Sequence, residues 1–127
     1  MAGARKIAII AGGVRKEAVL NSSKTADAIW QALPLEARGN RWGDEIYFGI
    51  PVSADPENGR EVVSVGDVAY WPPGSAFCIF WGPTPASRGD EIRPASAVNV
   101  FGKVTAGAGD FSAVRSGAIV RVERVLE

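Results

Sequence analysis

Glu45 and Tyr47 are the residues of this 127-residue chain whose types and spacing most directly suggest chemistry. They stand two apart at the start of a predicted strand over 46–52, so both side chains project to one side. A carboxyl group beside a phenol could serve as an acid–base pair if one of them were desolvated. Lys103, on a later strand, could join them, and a salt-bridged surface explains such a trio equally well. Asp44 points to the opposite side and is interpreted as a solvated turn charge.

Cys78 is the only cysteine, and the chain contains no histidine. A thiol without a neighbouring histidine has no obvious base to take its proton, so Cys78 is interpreted as an inert buried thiol. The same composition removes the usual nitrogen and sulfur ligands of zinc. Carboxylate sites for magnesium or calcium stay open in principle, but no metal site is predicted. No cofactor is predicted either, because Gly12-Gly13 lacks the spacing of a nucleotide-binding loop and fits a hairpin turn.

Aromatic side chains are concentrated between residues 42 and 81, together with four prolines. Because side chains alternate along a strand, Tyr70 lies on one face and Trp71 on the other. One face fills a core, and the apolar side chains of the other face must be covered by another part of the protein, a second subunit or a ligand. We expect a pocket between the 70–80 hairpin and the 82–87 loop, which binds a small molecule or peptide. The predicted ligand-binding residues are Glu45, Tyr47, Tyr70, Phe80, Thr84 and Asn99. Alternatively, these aromatic side chains pack in the core or form the interface of a homo-oligomer.

Short alternating segments separated by Gly- and Pro-rich turns predict a mainly β protein. Strands are expected over 6–11, 14–20, 46–52, 68–71, 76–81, 98–105 and 118–126, with Val120, Val122 and Leu126 on one face of the last strand. Residues 24–33 predict the main α-helix, with caps at 21–23 and a stop at Pro34, and 110–114 predict a short second helical turn. The pattern favours one closed antiparallel β-barrel domain over 1–127.

Three short motifs resemble the cyclophilin barrel. They are Gly74-Ser75-Ala76-Phe77-Cys78-Ile79, Phe101-Gly102-Lys103-Val104, and the helical segment from Lys24 to Leu33. The segment 66–74 also resembles a signature of small prokaryotic cyclophilin-like domains of unassigned function. A related barrel occurs in cyclophilin-like subunits of bacterial oxoprolinase and allophanate-hydrolysing systems. The resemblance implies a cyclophilin-like barrel, and a fold does not by itself transfer chemistry.

The resemblance weakens at the residues that cyclophilins use for prolyl isomerisation. Their catalytic arginine has no match in 39–51 except Arg41, which is expected in a loop beside Trp42-Gly43. Their glutamine and second pocket phenylalanine are matched by Ala76 and Cys78, and their pocket histidine has no counterpart. We therefore expect no competent isomerase. The alternative is an enzyme, either a weak isomerase using Arg41 or an amide-hydrolase component using Glu45 and Tyr47.

Charge and hydropathy limit the classes of partner that the chain is expected to bind. The chain carries 14 basic and 14 acidic residues, so no net field attracts phosphates, and no nucleic-acid partner is expected. The apolar run 7–14 is too short for a membrane span, and no signal-peptide pattern follows it. The expectation is a cytoplasmic protein without a membrane partner.

Overall fold

The computed structural model describes residues 5–126, and short β-strands dominate them. The strands are β1 Lys6–Ala11, β2 Val14–Leu20, β3 Leu35–Arg38, β4 Asn40–Arg41, β5 Glu45–Gly49, β6 Asp67–Trp71, β7 Ala76–Phe80, β8 Asn99–Val104 and β9 Ile119–Val125. One helix, α1 Lys24–Ala32, and two 3₁₀ turns, Pro72–Gly74 and Ala108–Ala113, complete the described elements. The main helix and the second helical turn agree with the sequence prediction.

The strands form one antiparallel sheet in the order β3-β9-β1-β2-β8-β6-β7-β5-β4. Its two edge strands, β3 and β4, follow each other directly in the chain. At one edge β3 pairs with β9, and at the other edge β4 pairs with β5. Residues 35–41 therefore join both ends of the sheet and nearly close a barrel, which confirms the predicted fold class. Sequence analysis missed β3 and wrongly placed Arg41 in a loop. Both strands are too short to show a period, and long-range pairing is what makes them strands.

Gly39 stands between β3 and β4, where the two ends of the barrel meet. Its N–H donates to the Ala118 carbonyl at 2.8 Å, and its own carbonyl accepts from the Gly117 N–H at 2.8 Å. A Cβ atom on Gly39 would lie 2.9 Å from Cγ2 of Val120 and 3.1 Å from Cγ2 of Ile46. Closure at this distance therefore requires a residue without a side chain.

The first hairpin and the helix follow their local signals. Gly12 and Gly13 both have positive φ angles, 52° and 86°, as the two-residue turn between β1 and β2 requires. Ser23 caps α1, because its Oγ accepts from the Ala26 N–H at 3.0 Å. Within residues 5–126, no helix is long and apolar enough to cross a membrane.

The sheet buries residues on both of its faces around β5, β6 and β7. The inner face contributes Val68, Tyr70, Phe77 and Ile79 to the barrel core, which α1 joins through Ala26 and Ile29. The outer face carries a second cluster, here called the outer cluster, made of Val63, Ala69, Ala76, Cys78, Phe80, Ile92 and Val98. The predicted alternation of Tyr70 against Trp71 and of Phe77 against Cys78 is confirmed.

One residue of the last strand departs from the predicted face. Val120 and Val122 are fully buried, but Leu126 is 80% exposed. The strand ends at Val125, so Leu126 has left the sheet and has no core to enter. The prediction of a third buried position on this face was wrong.

Barrel closure at Gly39 predicts a selective sensitivity to added volume. We expect Gly39→Ala to lower the free energy of unfolding by about 1–2 kcal/mol, because the two contacted methyl groups belong to stiff β-branched side chains. Gly49→Ala is the matched control, because Gly49 is the last residue of β5, pairs with Ala76, and would have no atom within 4 Å of an added Cβ. Urea unfolding compares the two variants. Equal stability of both would contradict a tight closure at Gly39.

Candidate functional site

A cavity of about 280 Å³ opens on the outer face of β5 and β7, beside the outer cluster. Its wall is mainly aromatic and aliphatic, with one carboxyl group and one thiol in it. The residues that line it are Trp42, Glu45, Tyr47, Trp71, Cys78, Pro94, Ala95 and Val98. An apolar concavity with few polar groups is the usual composition of a small-molecule site.

Strand pairing brings the polar groups of the cavity together. Tyr47 on β5 stands opposite Cys78 on β7, and Glu45 is two residues away on the same face of β5. The turn before β5 is held by the Trp42 N–H, which donates to the Glu45 carbonyl at 3.0 Å. Trp42, Glu45 and Tyr47 thus enter the cavity from one short segment of the chain.

The far wall comes from segments that cross the outer face of the sheet. Val98 and Arg60 form an isolated bridge with N···O distances of 2.9 and 3.0 Å, and Val63 pairs similarly with Ile92. Trp71 is fixed to this wall, because its indole Nε1–H donates to Ser96 Oγ at 2.7 Å. The loop 92–98 and the end of β6 therefore shape one side of the cavity together.

Glu45 is the unusual group of the site. The residue is 4% exposed, and burial in this apolar surrounding raises the pKa of its carboxyl group to about 7. A hydrogen bond with the Cys78 thiol opposes the rise without reversing it. Among residues 5–126, no lysine or arginine forms a salt bridge with Glu45. Glu45 can therefore exchange a proton near neutral pH.

Cys78 keeps its proton. Its burial raises the pKa of the thiol well above its usual range, and the neighbouring Glu45 carboxylate raises it further. The Sγ atom also lies 3.9 Å from the Ala76 carbonyl oxygen. A protonated, buried thiol is a poor nucleophile, which agrees with its interpretation as an inert residue.

The structure separates the six predicted ligand-binding residues. Glu45 and Tyr47 line the cavity. Phe80 is fully buried within the outer cluster and does not line the cavity. Tyr70 lies on the opposite face, in the barrel core, where its hydroxyl donates to the Val52 carbonyl at 2.7 Å. One pocket cannot contain Tyr70 and Phe80, because neighbouring strands place them on different faces of the sheet.

Thr84 and Asn99 also lie outside the cavity, and their polar atoms are used within the fold. The Thr84 hydroxyl donates to the Arg93 carbonyl and shapes the loop after β7. The Asn99 side chain bonds Thr25 Oγ1, the Asp55 carbonyl and the Glu57 N–H at 2.9–3.1 Å. The cavity accordingly uses the 94–98 segment, whereas sequence analysis expected the 82–87 loop.

The other candidates for chemistry have structural partners. Lys103 pairs with Asp67 at 3.4 Å, and Phe80 stands between that pair and Glu45 across the sheet. Asp44 is half-exposed and lies 3.7 Å from Arg41. The Arg41 guanidinium donates to the carbonyls of Ser112 and Val114 and lies 5.0 Å from the Trp81 ring centre. Neither Lys103 nor Arg41 lines the cavity.

Sequence analysis missed several residues of the wall. Trp71 and Cys78 share the face of Glu45 and Tyr47, so the alternation already contained their signal. Pro94, Ala95 and Val98 lie at or beside an irregular loop, and no period marks them. Their position follows from the bridges that join that loop to the 60–63 segment and from its packing in the outer cluster.

Comparisons with known proteins agree with the architecture. A family model described as Cyclophilin-like matches residues 5–123. The chain is similar to the hypothetical protein AF2241 from Archaeoglobus fulgidus, whose solution structure has 42% sequence identity to it. The match covers 96% of this chain and 95% of that protein, with a TM-score of 0.82. No curated protein matches the chain.

Glu45 predicts a specific dependence of stability on pH. Because its pKa is about 7 in the folded protein and near 4.5 when unfolded, the folded state binds the proton more tightly. The stability gained by protonation is present below the unfolded pKa and is lost as pH rises through about 7. We expect Glu45→Gln to gain about 2–3 kcal/mol relative to the parent protein between pH 5 and pH 8.

Urea unfolding at the two pH values measures this difference. Asp44→Asn is the control, since it removes the adjacent, half-exposed carboxylate on the other face. The same pH-dependent gain in Asp44→Asn, or none in Glu45→Gln, would contradict a desolvated Glu45.

Proposed function

The chain belongs to the cyclophilin-like family, and we propose that it is a binding domain for a small organic molecule, held in the Glu45 cavity. Family membership supplies the barrel but leaves the activity open, because one fold serves many functions. The proposal depends on one observation, the buried Glu45 carboxyl group in an apolar cavity of about 280 Å³. A ligand that bonds to Glu45 would offset its burial.

The volume of the cavity sets the size of the ligand. It corresponds to about nine water molecules at their liquid volume, and it lies just below the usual range of about 300–1,000 Å³ for small-molecule sites. The walls made by Trp42, Tyr47 and Trp71 suit an apolar body, and Glu45 provides one polar anchor. A small molecule fits these features better than an extended peptide.

A second candidate is an acid–base enzyme that uses Glu45 with Tyr47, for example on an amide substrate. The pKa of Glu45 near 7 favours it, since a general acid or base works best near the operating pH. A ligand found in the cavity that is also turned over, with a rate that Glu45→Gln abolishes, distinguishes catalysis from binding.

Prolyl isomerisation has less support. Cyclophilin-type catalysis needs an electrophilic group aimed at the prolyl nitrogen, and Arg41 already donates to backbone carbonyls. Its guanidinium also packs on Trp81, on the core side of the sheet. Ala76 has no polar side chain, and the Cys78 thiol already bonds to Glu45, so neither replaces the glutamine or the pocket phenylalanine of cyclophilins.

The binding proposal predicts that the cavity can be closed by a single substitution. Small organic molecules that raise the melting temperature in a thermal-shift screen should lose that effect in Ala95→Trp, because Ala95 is exposed at the rim and a larger ring would fill the space. Ala97→Trp in the same loop does not line the cavity and should retain the effect. Binding that survives Ala95→Trp would place the ligand elsewhere.

The engagement of Arg41 by backbone carbonyls predicts that the protein does not catalyse prolyl isomerisation. A protease-coupled peptide assay should show no acceleration of prolyl isomerisation over the uncatalysed rate. Catalysis that Arg41→Lys abolishes, in a variant with unchanged melting temperature, would replace the binding proposal with the isomerase alternative.

A further inference from the structure

We propose that the ligand of the Glu45 cavity is an organic cation, an ammonium group attached to a small apolar body. This inference rests on the proposed binding function and specifies the class of molecule that is bound. Three features of the site carry it: an unpaired acidic group, the absence of basic groups from the lining, and the aromatic character of the walls.

The acidic group lacks the positive partner that a buried carboxylate normally has. Asp67 provides the comparison within the same sheet: it is 9% exposed, accepts from the Ser64 N–H at 2.8 Å and pairs with Lys103 at 3.4 Å. Glu45 is more deeply buried and has no such cation within residues 5–126. Because an unpaired buried charge is costly, a cation from outside would stabilise its ionised form.

The charged groups nearest the cavity in sequence are already engaged. Arg41 bonds to backbone carbonyls, and Arg93 pairs with Glu91 at 3.3 Å. Of the lysines and arginines within residues 5–126, none belongs to the lining. Glu45 is therefore the charged group of the lining, and its ionised form would repel an anionic ligand.

The walls favour a cation over an uncharged molecule of the same shape. Trp42, Tyr47 and Trp71 line the cavity, and aromatic rings attract organic cations through their electron-rich faces. A divalent metal ion fits less well, because it needs several oxygen ligands and only one carboxyl group is available. No group of three potential metal-ligating side chains occurs in the described part of the chain.

A bound cation and a proton compete for the Glu45 carboxylate, so the affinity for the cation should depend on pH. A cation binds to ionised Glu45, and this form increases as pH rises through about 7. Tyr47 on β5 and Cys78 on β7 are the other titratable groups in the lining; burial keeps the Cys78 thiol protonated because its pKa is well above the usual range. The affinity for a permanently charged ligand should therefore increase by roughly a hundredfold from pH 5 to pH 8.

Choline and 3,3-dimethyl-1-butanol form a matched pair of probes, because they share a shape and differ by one positive charge. Titrations followed by the indole N–H signals of Trp42 and Trp71 measure both affinities. We expect choline to bind more tightly than the neutral alcohol at pH 8, with the predicted rise from pH 5. Glu45→Gln should remove the preference and the rise, and Asp44→Asn should retain both.

The outcomes separate this inference from the proposed function. Equal binding of the two probes, or a choline affinity independent of pH, overturns the cation inference while cavity binding stands. Failure of both probes, when molecules from the thermal-shift screen still bind in an Ala95-dependent way, also overturns the inference alone. If no molecule in the thermal-shift screen binds and neither probe binds, the cation inference and the proposed binding function are both overturned. A cooperative urea transition of Glu45→Gln at pH 8, at a stability no lower than that of the parent protein, excludes misfolding as the cause of the lost binding.

Discussion

Closure of the barrel by residues 35–41 is the constraint on which the remaining structure depends. This short segment pairs with β9 through its first half and with β5 through its second, and Gly39 allows the approach of Val120 and Ile46 at the junction. Because β4 holds β5 in place, the segment also sets the position of Glu45 against β7. The segment 35–41, which closes the barrel, therefore also positions one wall of the outer cavity.

The outer cavity exists because the sheet buries both faces near β7. On the inner face, Phe48, Phe77 and Phe101 pack ring against ring and fill the barrel. On the outer face, the segments around Val63 and Ile92 cover only part of the surface, and the cavity that Glu45 lines opens beside them. Covering loops that are held by two isolated bridges leave a concavity that a regular strand or helix would have filled.

Asn99 and Glu45 are two buried polar residues with different hydrogen-bonding surroundings. Asn99 satisfies its amide with Thr25, Asp55 and Glu57, and so ties α1 to the 53–57 segment. Glu57 in turn accepts from the N–H groups of Lys24 and Thr25 at the start of α1. In the described part of the chain, the Glu45 carboxyl group bonds to the Cys78 thiol and has no comparable set of donors. A polar group whose bonds are all internal stabilises the fold, whereas one left facing a cavity invites a partner.

The sequence by itself determined the barrel, the helix, the first hairpin and the face of each long strand, because these follow from local periodicity and turn residues. It also singled out Glu45 and Tyr47, which share a face by strand alternation alone. Tertiary structure decided the rest: that β3 and β4 exist, that Tyr70 and Phe80 belong to different cores, and that residues 94–98 cover the sheet. These features depend on pairing between distant segments, which no local period encodes.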